Sequence, residues 1–72
     1  MQARVRHTNG KDFGTVDVGN TYPGDEKSVN GTYYRVLKCQ PDSSGAMQVL
    51  VTDRDSGESL SAAYDNWPNG WG

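Results

Sequence analysis

The chain has 72 residues with seven cations, nine acids and one histidine, for a formal net charge of −2. That length supports one domain, and at this size folding buries only about 60% of the surface the unfolded chain exposes. The charge balance excludes a strongly basic nucleic-acid coat, and no apolar run reaches the roughly 18 residues of a membrane-spanning helix.

The material for a core is thin: seven valines, three leucines, Phe13, Met47 and Ala3, with no isoleucine. A core of this size usually needs disulfides, a metal, a partner chain or buried aromatics. Cys39 is the only cysteine, so no intrachain disulfide can form, and a lone thiol fits a reducing compartment. The first strand pattern begins beside Met1 and leaves no stretch for a signal peptide. The expectation is a cytoplasmic protein from a complete short reading frame, of the kind found among viral and mobile-element accessory proteins.

Residues 2–8 alternate, with Ala3, Val5 and His7 on one face and Gln2, Arg4, Arg6 and Thr8 on the other, the period of a half-buried strand. Asn9-Gly10 then signals a hairpin into a return strand over 12–18. Phe13 is opposed in parity to Val16 and Val18, and Gly14 marks a bulge or a close backbone approach. Residues 19–31 show no periodicity and read as a long loop, with a type II turn at Tyr22-Pro23-Gly24-Asp25. Asn30-Gly31 turns the chain into 32–40, the clearest strand. Tyr33, Arg35, Leu37 and Cys39 share one parity there, and Tyr34, Val36, Lys38 and Gln40 the other.

Pro41 ends that strand, and residues 42–45 form a loop. The next strand, 47–52, is apolar on the consecutive positions Val49-Leu50-Val51, as expected of a central strand in a curled sheet. The segment beyond the turn at 53–57 admits two readings. Residues 58–62 form a fifth strand, or Asp55 and Glu58 form a capping box for a short helix carrying Leu60, Tyr64 and Trp67. The strand is favoured, with a helical turn near Ala62–Tyr64. The expected fold is therefore all-β: a small five-stranded antiparallel meander of the SH3-like or OB-like barrel type, ending in an aromatic tail over 64–72. The isomer at Tyr22-Pro23 and Trp67-Pro68 stays open, since aromatic–proline bonds adopt either.

Catalytic chemistry is sparse. His7 shares parity with Val5 and reads as a buried, hydrogen-bonded histidine; a Cys39–His7 nucleophile pair needs their strands to be neighbours. A single cysteine in a strand is more often a small hydrophobe. One histidine and one cysteine do not make a zinc site. The 53–58 stretch departs from the calcium-loop spacing, because Gly57 stands where an acid is needed and Tyr64 where the closing glutamate belongs. Asn30-Gly31-Thr32 matches a glycosylation sequon but reads as a turn. No enzyme activity, cofactor or metal is expected.

Binding is the expected function, in two forms. The first is a protein-binding module, pictured as an inhibitor of a larger host protein. It would act through acidic turns and exposed aromatics: Tyr22, Asp25, Glu26, Asp53, Asp55, Glu58, Tyr64, Trp67 and Trp71. Homodimerisation through the same aromatics is a variant. The second is a binder of single-stranded nucleic acid or a nucleotide, with Arg4, Arg6, Arg35 and Lys38 on phosphates and Tyr33 or Tyr34 stacking on bases. The opposite parity of Arg35 and Lys38 counts against it, since a regular strand would put them on different faces.

Overall fold

In the computed structural model, residues 1–57 are described. They form five strands: β1 (Gln2–His7), β2 (Asp12–Asp17), β3 (Glu26–Val29), β4 (Thr32–Pro41) and β5 (Met47–Asp53). The sheet order is β2-β1-β5-β4-β3. The fold is all-β, as the alternation implies. Two features differ from a simple meander. The ladder between β1 and β5 is parallel, whereas the other three are antiparallel. The cause is the connection from β2 to β3, which carries the chain from one edge of the sheet to the other. β5 then returns between β4 and β1.

The second difference corrects the long loop expected over 19–31, because β3 occupies its second half. Asn30 and Gly31 have φ of 53° and 86°, and Val29 pairs with Thr32. That is the two-residue hairpin turn whose twist matches the flanking strands. An Asn-Gly hairpin needs a strand on each side, and Val29, 1% exposed, anchors the shorter one. The remainder of the loop contains the expected turn: Asp25 N–H donates to the Tyr22 carbonyl at 3.1 Å, Gly24 has φ of 93°, and Tyr22-Pro23 is trans. The expected strand over 58–62, the helical turn at Ala62–Tyr64, the 64–72 tail and the Trp67-Pro68 bond lie outside the described residues.

Two bulges decide which side chains share a face. In β2, Asp12 pairs with Arg6 and Gly14 with Val5, so Phe13 is an extra residue. Gly14 has φ of 75°, a conformation other residues adopt only with strain. The extra residue resets parity, and Phe13 packs on the same core as Val16 and Val18. In β4, Val36 pairs with Val51 and Lys38 with Leu50, leaving Leu37 as the extra residue. Val36 and Cys39 therefore both face the core, although alternation alone would separate them.

The core is built from Ala3, Val5, Val18, Val29, Val36, Val49 and Val51, with Phe13, Val16, Tyr34, Cys39 and Met47 packed against it. All lie on one side of a single sheet, so the sheet must curl for them to meet. The Phe13 and Tyr34 ring centroids are 5.2 Å apart, although their strands are three steps apart, roughly 14 Å in a flat sheet. This is the inner face of a half-barrel. On the outer face the β5 residues Gln48, Leu50 and Thr52 are also buried, Leu50 completely, together with Leu37.

The β4–β5 turn is tied by one carboxylate. Asp42 Oδ1 accepts hydrogen bonds from the Ser44 and Ala46 N–H groups at 2.9 and 3.0 Å and from Ser44 Oγ at 2.7 Å. Oδ2 accepts from Gln48 Nε2 at 3.1 Å. The Ser44 hydroxyl contributes most to holding the Asp42 carboxyl below its ordinary pKa. Asp12 and Asp17 are lowered too, chiefly by hydrogen bonds from Arg4 and from the N-terminal ammonium. A carboxylate with a depressed folded-state pKa stabilises the fold above its unfolded value, and that contribution is lost as pH falls through the folded value. The melting temperature should thus hold steady down to about pH 4 and drop below it. Asp42→Asn should melt lower than wild type at pH 7, with the gap closing towards pH 3; a gap that widens on acidification contradicts this role.

Candidate functional site

The bulge at Leu37 has a consequence on the outer face. Arg4 pairs with Gln48 and Arg6 with Leu50 across the parallel ladder. Arg35 pairs with Thr52 and Lys38 with Leu50 across the antiparallel one. Ladder partners share a face, so all four cations stand on the side opposite the valine core, in rows flanking β5. The parity objection to grouping Arg35 with Lys38 is removed by one inserted residue. Tyr33 pairs with Ser28, lies on the same face as Arg35 and is 56% exposed.

The cations differ in their partners. Arg4 Nε donates to Asp12 Oδ2 at 3.1 Å, and its Nη2 donates to the same oxygen. Among the described residues, Arg35 Nε and Nη2 and Arg6 Nε are buried without a hydrogen-bond partner, as is Gln48 Oε1. Glu26 is opposite Arg35 in the register. An unpartnered buried charge-bearing donor is costly, on the order of 1–3 kcal/mol or more.

Tyr34, grouped with Tyr33 as a stacking candidate, is instead an inner-face residue. Its ring meets Phe13 and lies edge-on to His7 at 5.7 Å. Adjacent strand residues point to opposite faces, so only one of the two tyrosines can meet a ligand on the outer face.

His7 is 6% exposed and engaged at both ring nitrogens. Nδ1 accepts the Asn9 N–H at 3.0 Å, which assigns the proton of the neutral ring to Nε2, and Nε2 donates to Asp53 Oδ1 at 2.8 Å. Neither nitrogen is available as a general base. Cys39 is separated from His7 by β5, which lies between β1 and β4. Burial raises the Cys39 thiol pKa, and the charge of Asp25 raises it further against the opposing effect of the Thr21 hydroxyl. The pair needed for thiol chemistry is therefore not assembled. Among the described residues no group of three or more His, Cys, Asp or Glu side chains is arranged to hold a metal, and no helix is long and apolar enough to cross a membrane.

The acidic and aromatic candidates are dispersed. Tyr22 is 64% exposed on the β2–β3 connection. Asp25 is ion-paired with Lys27 at 3.4 Å, and Glu26 lies on the edge strand. Asp53 holds His7, and Asp55 is exposed beside Arg54 Nε at 3.7 Å. Glu58, Tyr64, Trp67 and Trp71 lie outside the described residues. One cluster does form: Tyr33, Asp53, Arg54 and Asp55 line an open cleft of about 270 Å³ at the end of β4 and β5. Arg54 carries no signal of this in the sequence, where it reads only as part of a polar turn.

The class defined by this geometry is a curled five-stranded β-sheet domain with a cationic outer face and an acidic, aromatic cleft at one end. No protein-family model, no curated protein and no solved structure matches the chain.

Proposed function

We propose that this protein is a non-catalytic binding domain whose outer sheet face takes single-stranded nucleic acid or a nucleotide. The observation that carries this reading is the Leu37 bulge, which aligns Arg35 and Lys38 with Arg4 and Arg6 around an exposed Tyr33. Cations along a sheet with an aromatic ring beside them supply both parts that single strands require, charge for the backbone and a stacking platform for the bases. The small net negative charge fits a local patch of modest affinity better than a general coat.

A second reading is a protein-binding module, and the cleft at Tyr33, Asp53, Arg54 and Asp55 favours it. An exposed ring beside carboxylates suits a lysine or arginine side chain from a basic partner. In this reading the protein inhibits a larger host protein, with Tyr22 as a further exposed anchor.

One variant separates the two. Asp55 lines the cleft beside Tyr33, so Asp55→Lys turns a repulsion for phosphates into an attraction. At about 8 Å in water two units of charge amount to about 1 kcal/mol. Fluorescence anisotropy with a labelled single-stranded oligonucleotide at low salt should show wild-type binding that tightens about fivefold in the variant. Absence of binding by both proteins sinks the nucleic-acid reading. Loss of a captured basic partner by the variant would then support the second.

A further inference from the structure

We infer that the outer face of the sheet is a docking surface for a segment of this same chain, residues 58–72. Leu50 stands at the centre of that face, opposite the valine core, and is 0% exposed. Leu37, Gln48 and Thr52 on the same side are buried as well. A sheet that buries both faces needs a second layer on each. The described residues form one sheet of five strands and supply no layer over the outer face. Long side chains do not suffice in its place. Arg6 and Lys38 flank Leu50 in the two ladders, and cationic stems can cover apolar surface while their heads stay in water. Here, however, Arg6 Nε, Arg35 Nε and Nη2 and Gln48 Oε1 are themselves shut off from water. Whatever covers Leu50 therefore covers its flanks too, across β1, β5 and β4.

The path of the chain indicates the occupant. Thr52 ends the row of outward-facing β5 residues, and its Oγ1 donates to Ser56 Oγ at 3.2 Å. The 53–57 turn thus delivers the chain to the outer side, at one end of the covered strip. Fifteen residues, 58–72, follow. Extended, they reach up to about 50 Å, against about 23 Å for the length of β5. They include Leu60, Tyr64, Trp67 and Trp71, and so hold both tryptophans of a chain poor in large apolar residues. Buried aromatics are the usual supplement to so thin a core. Each indole also brings an N–H donor, the group that Gln48 Oε1 lacks. The covered area stops short of Tyr33, 56% exposed, and of Arg4, whose side chain is 51% exposed. The inference does not rest on the nucleic-acid reading, but it bears on it. A strand that reaches Arg6 and Arg35 must first displace the segment, which is then a built-in competitor for that face.

The test is NMR of the full chain without ligand, reading nuclear Overhauser cross-peaks from the Leu37 and Leu50 methyl groups. These methyls should show cross-peaks to side chains of residues 58–72, the indole rings of Trp67 and Trp71 foremost. Leu50 methyls without any such cross-peak would overturn the inference. So would cross-peaks that survive isotope filtering in a mixture of labelled and unlabelled protein, because these place a second copy on the face. Leu37→Lys puts a charge beneath the segment and should abolish the cross-peaks to Leu50, while the Phe13–Tyr34 contacts on the opposite face persist. Because both tryptophans lie in 58–72, the same variant should red-shift the tryptophan emission and increase its quenching by acrylamide. A Leu37→Lys protein with its inner contacts intact and its emission unchanged would count against the docked segment. Should that variant fail to fold, the wild-type cross-peaks decide the question alone.

Discussion

Tyr34→Ala should strongly destabilise the domain, whereas Tyr33→Ala should leave its melting curve unchanged and weaken ligand binding. The two side chains are adjacent in sequence and opposite in fate. The Tyr34 ring joins Phe13 of β2 to His7 of β1 across the inside of the curl, at 5.2 and 5.7 Å between centroids. Removing a core ring costs about 3–5 kcal/mol, and a domain of this length has a total stability of only about 4–11 kcal/mol. Tyr33 is more than half exposed, so its loss should change stability by less than about 0.5 kcal/mol. As a stacking platform it should contribute about 1–3 kcal/mol per base, a loss of about fivefold to more than a hundredfold in affinity. Urea melts followed by circular dichroism, paired with oligonucleotide anisotropy, measure both. A Tyr34→Ala variant as stable as wild type would mean that the curl is not held by this contact.

The second large effect is expected from salt. Arg4 is already neutralised by Asp12, so the phosphate contacts expected on the outer face are those of Arg6 and Arg35. For single strands the logarithm of the binding constant falls by about 0.7 per phosphate contact for each tenfold rise in salt. Two contacts then predict an affinity loss of about sevenfold between about 50 and 200 mM salt. Arg35→Ala should reduce that loss to about threefold, because one contact is gone. Asp12→Ala should steepen it by releasing Arg4. Anisotropy titrations at four salt concentrations give the slopes directly. A slope near zero in wild type, or one unaltered by Arg35→Ala, would show that the cations on this face do not carry the ligand.

Much of the scaffold is legible from residue order. Alternation in 2–8, the Asn-Gly pairs and the consecutive apolar run at Val49-Leu50-Val51 rest on local rules of backbone conformation and burial, and these rules do not depend on distant residues. β3 escapes such a reading because four residues, Glu26–Val29, are too few to show a period. The signal available is Asn30-Gly31, whose hairpin geometry demands a strand before it as well as after. The parallel pairing of β1 with β5 has no local signature, because it depends on where the 18–25 connection crosses the sheet.

The candidate site divides in the same way. Residue types alone establish what this chain lacks, since a single histidine and a single cysteine limit the chemistry whatever the fold. They also name the cations and tyrosines that a ligand face would need. Which of these stand together is decided only by tertiary structure. One extra residue in β4 reverses the parity between Arg35 and Lys38, and it exists because Val36 and Cys39 must both reach the core while Leu37 is accommodated outside it. A bulge is set by the packing of one strand against its neighbours, which for β4 are β5 and β3. The buried, unpartnered edge of Arg35 comes from the same placement, and no reading of a single strand could have found it.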